Sequence, residues 1–330
     1  MLETLSDAYT PLLIWTGLGI LLFQFLPGNF PKLLGQGLYW FGVPIQIFAL
    51  ARQTDFSGSA GMAPFLAIGT ILLSISSAWL TWLLLQWLAN QKETLPSFFQ
   101  ESISNPQFFQ FNFADTRVKG SFILAAMLGN TGFVGLALTT SIISAENTNW
   151  AVLYSVSNNV IGTYGIAVFV ASYFGRDRTK SNWWVQLRDV LTVPSLWAFM
   201  IGFFTRQIVL PETIEFGLKV GVWVVIALAL ILVGLRLCSL QGWNSLNKVL
   251  IPSVLKIIII PMLVGLIASC FGLTSEPRLV LVLMAGTPTA LAVLILAEVY
   301  DLDRELLASN IAMTSVGLLL MLPLWLFWFG

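Results

Sequence analysis

Apolar stretches long enough to cross a bilayer recur along almost the whole chain. A spanning helix needs about 20 mostly apolar residues. Ten segments approach or exceed that length: 10–27, 35–51, 62–89, 119–144, 149–174, 191–209, 214–237, 249–272, 278–300 and 304–329. The third, fourth and tenth are longer than the minimum and must tilt, bend or emerge from the bilayer. The second is the least apolar, because it holds Pro44 and Gln46. Composition agrees: 57% of residues are hydrophobic and 10% charged, and mean hydropathy is +0.85. A soluble domain carries about 25% charged residues. The expected class is an all-α polytopic membrane protein of the plasma (inner) membrane.

The charges exclude other classes. With 16 basic and 16 acidic residues the net charge is zero, which offers no general attraction for nucleic acid. There is no histidine, hence neither the commonest proton shuttle nor the commonest metal ligand. Cys238 and Cys270 fit no metal or redox spacing. No cofactor or metal is expected, and a paired nucleophile and base for catalysis is missing. The acidic N-terminus (Glu3, Asp7) argues against a cleavable signal peptide.

Lys and Arg concentrate in cytoplasmic loops. With the N-terminus outside, the inner loops hold Lys32, Lys92, Arg117, Lys119, Arg176, Arg178, Lys180, Arg188, Arg236, Lys248 and Arg304. The outer side holds Arg52, Arg206, Lys219 and Arg278. Both termini are therefore expected to be non-cytoplasmic, with Cys238 and Cys270 near opposite faces, too far apart for a disulfide. The aromatic loop 90–118 reads as a surface segment with phenyl rings among the headgroups, a partner-binding role being the alternative. The basic stretch Arg176 to Lys180 reads as a topology signal.

Two segments are interrupted at their centres, by Leu128-Gly-Asn-Thr-Gly-Phe-Val-Gly135 and by Met284-Ala-Gly-Thr-Pro-Thr-Ala290. Irregular backbone at membrane depth is tolerated where it is buried in protein or lines a cavity. The breaks fall in the fourth and ninth segments, the same place in each set of five. An odd number per set makes the second set start from the opposite face, so the halves (1–175 and 191–330, joined by 176–190) would be inverted repeats. If the breaks meet, helix N-termini converge and favour an anion by about 0.3–1 kcal/mol each. Asn130, Thr131, Thr287 and Thr289 would add neutral donors and acceptors, and a small carboxylate could bind without a buried Arg or Lys. The competing reading is packing: Gly132 and Gly135 would let helices approach, and Pro288 would be an ordinary kink. Two matched breaks with polar neighbours favour a substrate site over packing.

At these residues the chain resembles the auxin efflux carrier family, the PIN-like carriers and their bacterial permease relatives. Asn130-Thr-Gly-Phe-Val-Gly-Leu136 is similar to the family's fourth-helix crossover, and Phe41-Gly-Val-Pro-Ile-Gln-Ile-Phe48 to its second helix. Lys256 followed by Pro261 is similar to the eighth helix. The C-terminal run matches best: Pro288-Thr-Ala, Leu296-Ala-Glu-Val-Tyr300, Asp303, Leu307-Ala-Ser309 and Leu322-Pro323. The resemblance implies ten helices in two inverted five-helix repeats, crossed fourth and ninth helices, and usually a homodimer. Segments 1, 2, 6 and 7 would form a scaffold, and segments 3, 4, 5, 8, 9 and 10 a transport unit. It implies organic-anion cargo, including indole-3-acetic acid and small dicarboxylates. Ala137 and Val293 stand where prolines are usual in the family or its plant branch, and the long hydrophilic plant loop is absent. These departures argue against plant-type auxin specificity, though not against the fold.

The expected binding residues are thus Asn130, Thr131, Gly132, Gly135, Thr287, Pro288 and Thr289, with support from Gln46, Lys256 and Asn310. Lys256 lies about two turns from the cytoplasmic end of its segment, close enough to snorkel, with a substrate or conformational role as the alternative. Glu298 could pair with Lys256 or Arg304. Asn158, Asn159 and Asn310 are expected to bridge helices, and Asn310 could reach the crossover. A sodium-coupled organic-anion symporter of bile-acid type is the alternative to a plain carrier.

Overall fold

A computed structural model describes residues 2–53, 58–91, 112–175, 183–238, 246–273 and 275–330. Most of the aromatic loop, 92–111, and the basic stretch Arg176 to Lys180 lie outside the described residues. The described chain is helical apart from turns and one isolated backbone bridge, Gly129 to Thr289. In chain order the helices are α1 (Leu2–Leu22), α2 (Phe30–Gln53), α3 (Ser59–Asn90), α4 (Thr116–Met127), α5 (Thr131–Ile142), α6 (148–175), α7 (Trp183–Leu191), α8 (Pro194–Phe204), α9 (Glu212–Cys238), α10 (246–270), α11 (Ser275–Ala285), α12 (Ala292–Tyr300) and α13 (Arg304–Phe329).

Among the described residues five helices are long and apolar enough to cross a membrane: α2, α3, α9, the 248–270 part of α10, and α13. Tyr9–Leu22 of α1, α5 and α8 are shorter apolar helices. Large side chains such as Phe25, Phe65, Phe271, Leu320 and Phe327 point outward, giving an apolar exterior suited to lipid. Inside, Trp82, Trp150 and Trp325 are fully buried.

Proline shapes two of the long helices. In α2 the Val43 amide donates to the Leu38 carbonyl, a five-residue step that makes a π-turn just before Pro44. In α10 Ile260 donates to Leu255 just before Pro261. A proline cannot donate and crowds the preceding turn, so the helix widens there. The bends expected at Pro44 and Pro261 take this form.

Small residues set the closest helix pairs. A Cβ on Gly234 of α9 would overlap the Thr16 carbonyl oxygen of α1 and lie 3.0 Å from the Gly19 Cα. One on Gly202 of α8 would lie 2.7 Å from the Phe48 carbonyl oxygen of α2. Close backbone approach maximises dispersion where lipid supplies no hydrophobic drive between helices. Thus α1 packs on α9 and α8 on α2, while α3 packs on α6 and α10 on α13. Both cysteines are free.

Candidate crossover site

The two interrupted segments meet. α4 ends at Met127, and its next residues are extended, with Leu128 at φ −89° and ψ 119°. α11 ends at Ala285, and the chain is again irregular until Ala292. Between them the Asn130 amide donates to the Pro288 carbonyl (2.7 Å) and the Ala290 amide to the Leu128 carbonyl (3.0 Å). This reciprocal pair satisfies backbone groups that the broken helices would otherwise bury unpaired. It also fixes the crossing of the two arms. Beyond it, α5 and α12 begin, and neither N-cap residue (Asn130, Leu291) offers a side-chain cap. In α12 the Val293 and Leu294 amides donate to the Ala290 and Leu291 carbonyls, whereas the first amides of α5 receive no cap from the Asn130 side chain.

Glycine permits the approach. A Cβ on Gly129 would overlap Thr287 Oγ1 and stand 2.9 Å from Lys256 Nζ. On Gly286 it would overlap the Trp325 ring. On Gly135 it would be 2.8 Å from Met284 Sδ and 3.0 Å from Thr287 Cγ2. For Gly135, therefore, the packing reading describes its surroundings.

A cavity of about 630 Å³, its open mouth included, lies against this crossing. Its walls come from α2 (Gly35, Leu38, Tyr39, Val43, Gln46), the first break (Gly129, Asn130, Gly132, Phe133), α6 (Asn159, Thr163, Tyr164), α9 (Leu232, Arg236) and the start of α12 (Ala290, Leu291, Ala292, Leu294, Ile295). The lining is mostly apolar with a few neutral polar groups and one cation, a common pattern for small-molecule sites.

The expected residues divide into two groups. Asn130, Gly132 and Gln46 line the cavity, and Gln46 Nε2 donates to the Gly132 carbonyl at 2.7 Å. That bond ties α2 to the first break. Thr131 Oγ1 turns away and accepts from Asn158 Nδ2 (3.1 Å) and Asn159 Nδ2 (3.4 Å). The second break spends its polar atoms on its own frame. Thr287 Oγ1 donates to Met284 O (2.9 Å), and Thr289 Oγ1 donates to Ala125 O (2.8 Å). Asn310 Nδ2 reaches Thr289 Oγ1 at 2.7 Å, and Ser253 donates to Asn310 Oδ1 at 2.8 Å. Pro288 lines a separate apolar cavity with Leu12, Val134 and Leu318. Gly135, Thr287 and Thr289 do not line the crossover cavity.

Lys256 departs from the snorkelling expectation. Its residue is 2% exposed, and Nζ donates to the Ala285 carbonyl at 2.8 Å, at the C-terminal end of α11. The π-turn in α10 places the side chain beside the break, where a helix C-terminus attracts a cation. Glu298 pairs with Arg304 (2.8 Å) and Lys32 (3.9 Å).

Asn159 bridges to Thr131 as expected and also lines the cavity, as do Arg236, expected only as a topology signal, and Tyr39, Thr163 and Tyr164, which no sequence motif singles out. The four-residue spacing of Asn159 and Thr163 puts both on one helix face, which was the available signal. Among the described residues no group of three or more Cys, Asp or Glu stands together as a metal site.

No family model matches the chain. It is similar to an uncharacterized transporter of Methanocaldococcus jannaschii, 26% identical over 211 residues that cover 62% of this chain and 67% of the relative. A second uncharacterized transporter, from Methanothermobacter thermautotrophicus, is 27% identical over 208 residues, covering 62% and 66%. These relatives are transporters. Together with the membrane-length apolar helices they support a transporter integral to a membrane. In a transporter, the paired breaks and the cavity against them are where cargo contact is expected.

Proposed function

We propose that the chain is a secondary carrier for a small organic carboxylate, of the auxin efflux carrier type, working by alternating access at the crossover. Its architecture on this reading is ten membrane helices in two inverted five-helix repeats, with α4–α5 and α11–α12 as the crossed pair. The observation that carries the reading is the reciprocal bond pair between Leu128-Gly-Asn130 and Pro288-Thr-Ala290 at the floor of a cavity. It is supported by packing that keeps its form when the halves are exchanged. The first segment lies on the seventh as the sixth lies on the second, and the third on the fifth as the eighth on the tenth.

The anion would sit at the start of α5, near the Gly132 and Phe133 amides, with Asn130 and Asn159 alongside. Partial helix charges contribute about 0.3–1 kcal/mol per end, more when partly buried. That binds cargo weakly enough to release it. On this reading the cavity opens at its Gly35 and Arg236 end, the side that the basic-residue bias makes cytoplasmic, while α1 packs along α5 on the other. This arrangement is an inward-facing state. The homodimer implied by the family resemblance, and the expected plasma-membrane location, belong to the same proposal.

Lys256 holds the Ala285 carbonyl, a helix-end oxygen of the kind that coordinates sodium. Sodium-independent transport is therefore expected over the sodium-coupled alternative. The test is counterflow in proteoliposomes with labelled carboxylates, with and without Na⁺ and a pH gradient. Movement of none of them would remove the proposal. Asn130→Ala, at unchanged amount and folding, should abolish transport; full activity in that variant would remove the site.

A further inference from the structure

The residues that line the cavity spread over more than the length of a small carboxylate, and the two ends of that lining differ chemically. Along α2 its wall runs from Gly35 to Gln46, eleven residues or about 16 Å of helix axis. Gln46 touches the crossover through Gly132. At the other end Arg236 extends across α2, with Nη2 3.8 Å from where a Gly35 Cβ would stand. The guanidinium and the first break are therefore separated by most of the cavity's length. A small carboxylate bound at one end does not reach the other.

Resting on the carrier reading, we infer that Arg236 is a second carboxylate site at the cavity mouth, which captures cargo before it moves to the crossover. Arg236 is the charged residue among those lining the cavity. A guanidinium grips a carboxylate with two parallel N–H donors. Leu38 and Leu232 lie beside it in the wall, so the pair would form against an apolar surface that screens it poorly. Gly35 lets the guanidinium lie against the α2 backbone, since a Cβ there would already be in van der Waals contact with Nη2.

Glu298 regulates this site. It is 14% exposed at the side chain, lies within electrostatic reach of Arg236, and is shared with Arg304 and Lys32. Its negative charge opposes an incoming carboxylate. Neutralising Glu298 should thus strengthen binding while neutralising Arg236 weakens it. A purely structural role for Arg236 does not produce that pair of opposite signs.

The experiment titrates the purified full chain with succinate and with indole-3-acetate at low, constant ionic strength, reading thermal stabilisation. The half-saturating concentration should rise about tenfold in Arg236→Gln, rise less in Arg236→Lys, and fall in Glu298→Gln. Added salt should weaken binding to the unmodified chain more than to Arg236→Gln. If Arg236→Gln does not fold, the Glu298→Gln shift and the salt dependence of the unmodified chain decide. Absent stabilisation by either probe, or an Arg236→Gln titration matching the unmodified chain, overturns the assignment. So does weakened binding in Glu298→Gln. Counterflow is judged separately: carboxylate transport that persists with no Arg236 effect leaves the carrier standing and removes the mouth site.

Discussion

Lys256→Met separates the electrostatics of the crossover from its stability. Lys256 is 2% exposed, and its 2.8 Å hydrogen bond to Ala285 O joins an ammonium to the end of α11. A hydrogen bond to a charged group contributes about 1.5–3 kcal/mol, and the helix end adds about 0.3–2 kcal/mol. Against this stands a desolvation cost of several kcal/mol for a buried ammonium. Methionine keeps the length and flexibility and removes that cost. The stability change should therefore be small, within about 1 kcal/mol, or favourable. Binding should respond differently. Nζ stands 2.9 Å from the Cβ position of Gly129, which lines the cavity. A carboxylate about 7–8 Å from the ammonium gains about 2 kcal/mol at an effective dielectric of about 20, or about thirtyfold in affinity. Thermal unfolding in detergent measures the first quantity, and the concentration dependence of counterflow the second. Destabilisation beyond about 3 kcal/mol would refute the desolvation argument, and unchanged half-saturation would refute the electrostatic one.

Three further outcomes follow from the frame around the site. Asn310→Ala removes bonds to Thr289, Ala125 and Ser253 and should destabilise by about 1–3 kcal/mol, measured by thermal unfolding; a neutral result would mean that the cluster does not hold the second break. Gly234→Leu drives a side chain into the Thr16 and Ile20 backbone of α1 and should cost at least about 1–3 kcal/mol, whereas Gly217→Leu, with open space around it, should not. Glu276 accepts from Ser144 and Asn147, and these hydrogen bonds hold its carboxyl below the usual 4.5. A depressed carboxylate stabilises the fold above its unfolded value and loses that contribution as pH falls through the folded one. Glu276→Gln should flatten the pH dependence of stability below about pH 4.5, and an unchanged acid limb would contradict it.

The membrane-length helices were legible because bilayer thickness sets a length that composition alone can reveal. The two breaks were legible for a related reason: Gly, Pro and Thr at mid-segment conflict with an otherwise uniform pattern. Their contact was a conditional expectation, since no periodicity encodes which carbonyl Asn130 will meet. Side-chain direction was the larger gap. Thr287 and Thr289 read as binding groups, yet each is committed to the frame by a partner at 2.8–2.9 Å, while Asn310 bridges helices as its position inside a span led one to expect. Arg236 read as a loop charge because its position near a helix end satisfies the charge-bias rule without regard to what it faces. Lys256 looked able to reach the surface by counting turns along α10, but the π-turn at Leu255–Ile259 redirects it.

The two backbone bonds at the crossing have a mechanical consequence. They restrain the arms from scissoring, because a large change in crossing angle would break Asn130 N–Pro288 O or Ala290 N–Leu128 O. In the proposed carrier the arms would travel together as a brace, with access alternating as that brace slides against α2 and α9. Because main-chain atoms make the brace, substitutions around the cavity can retune cargo while the moving part keeps its shape.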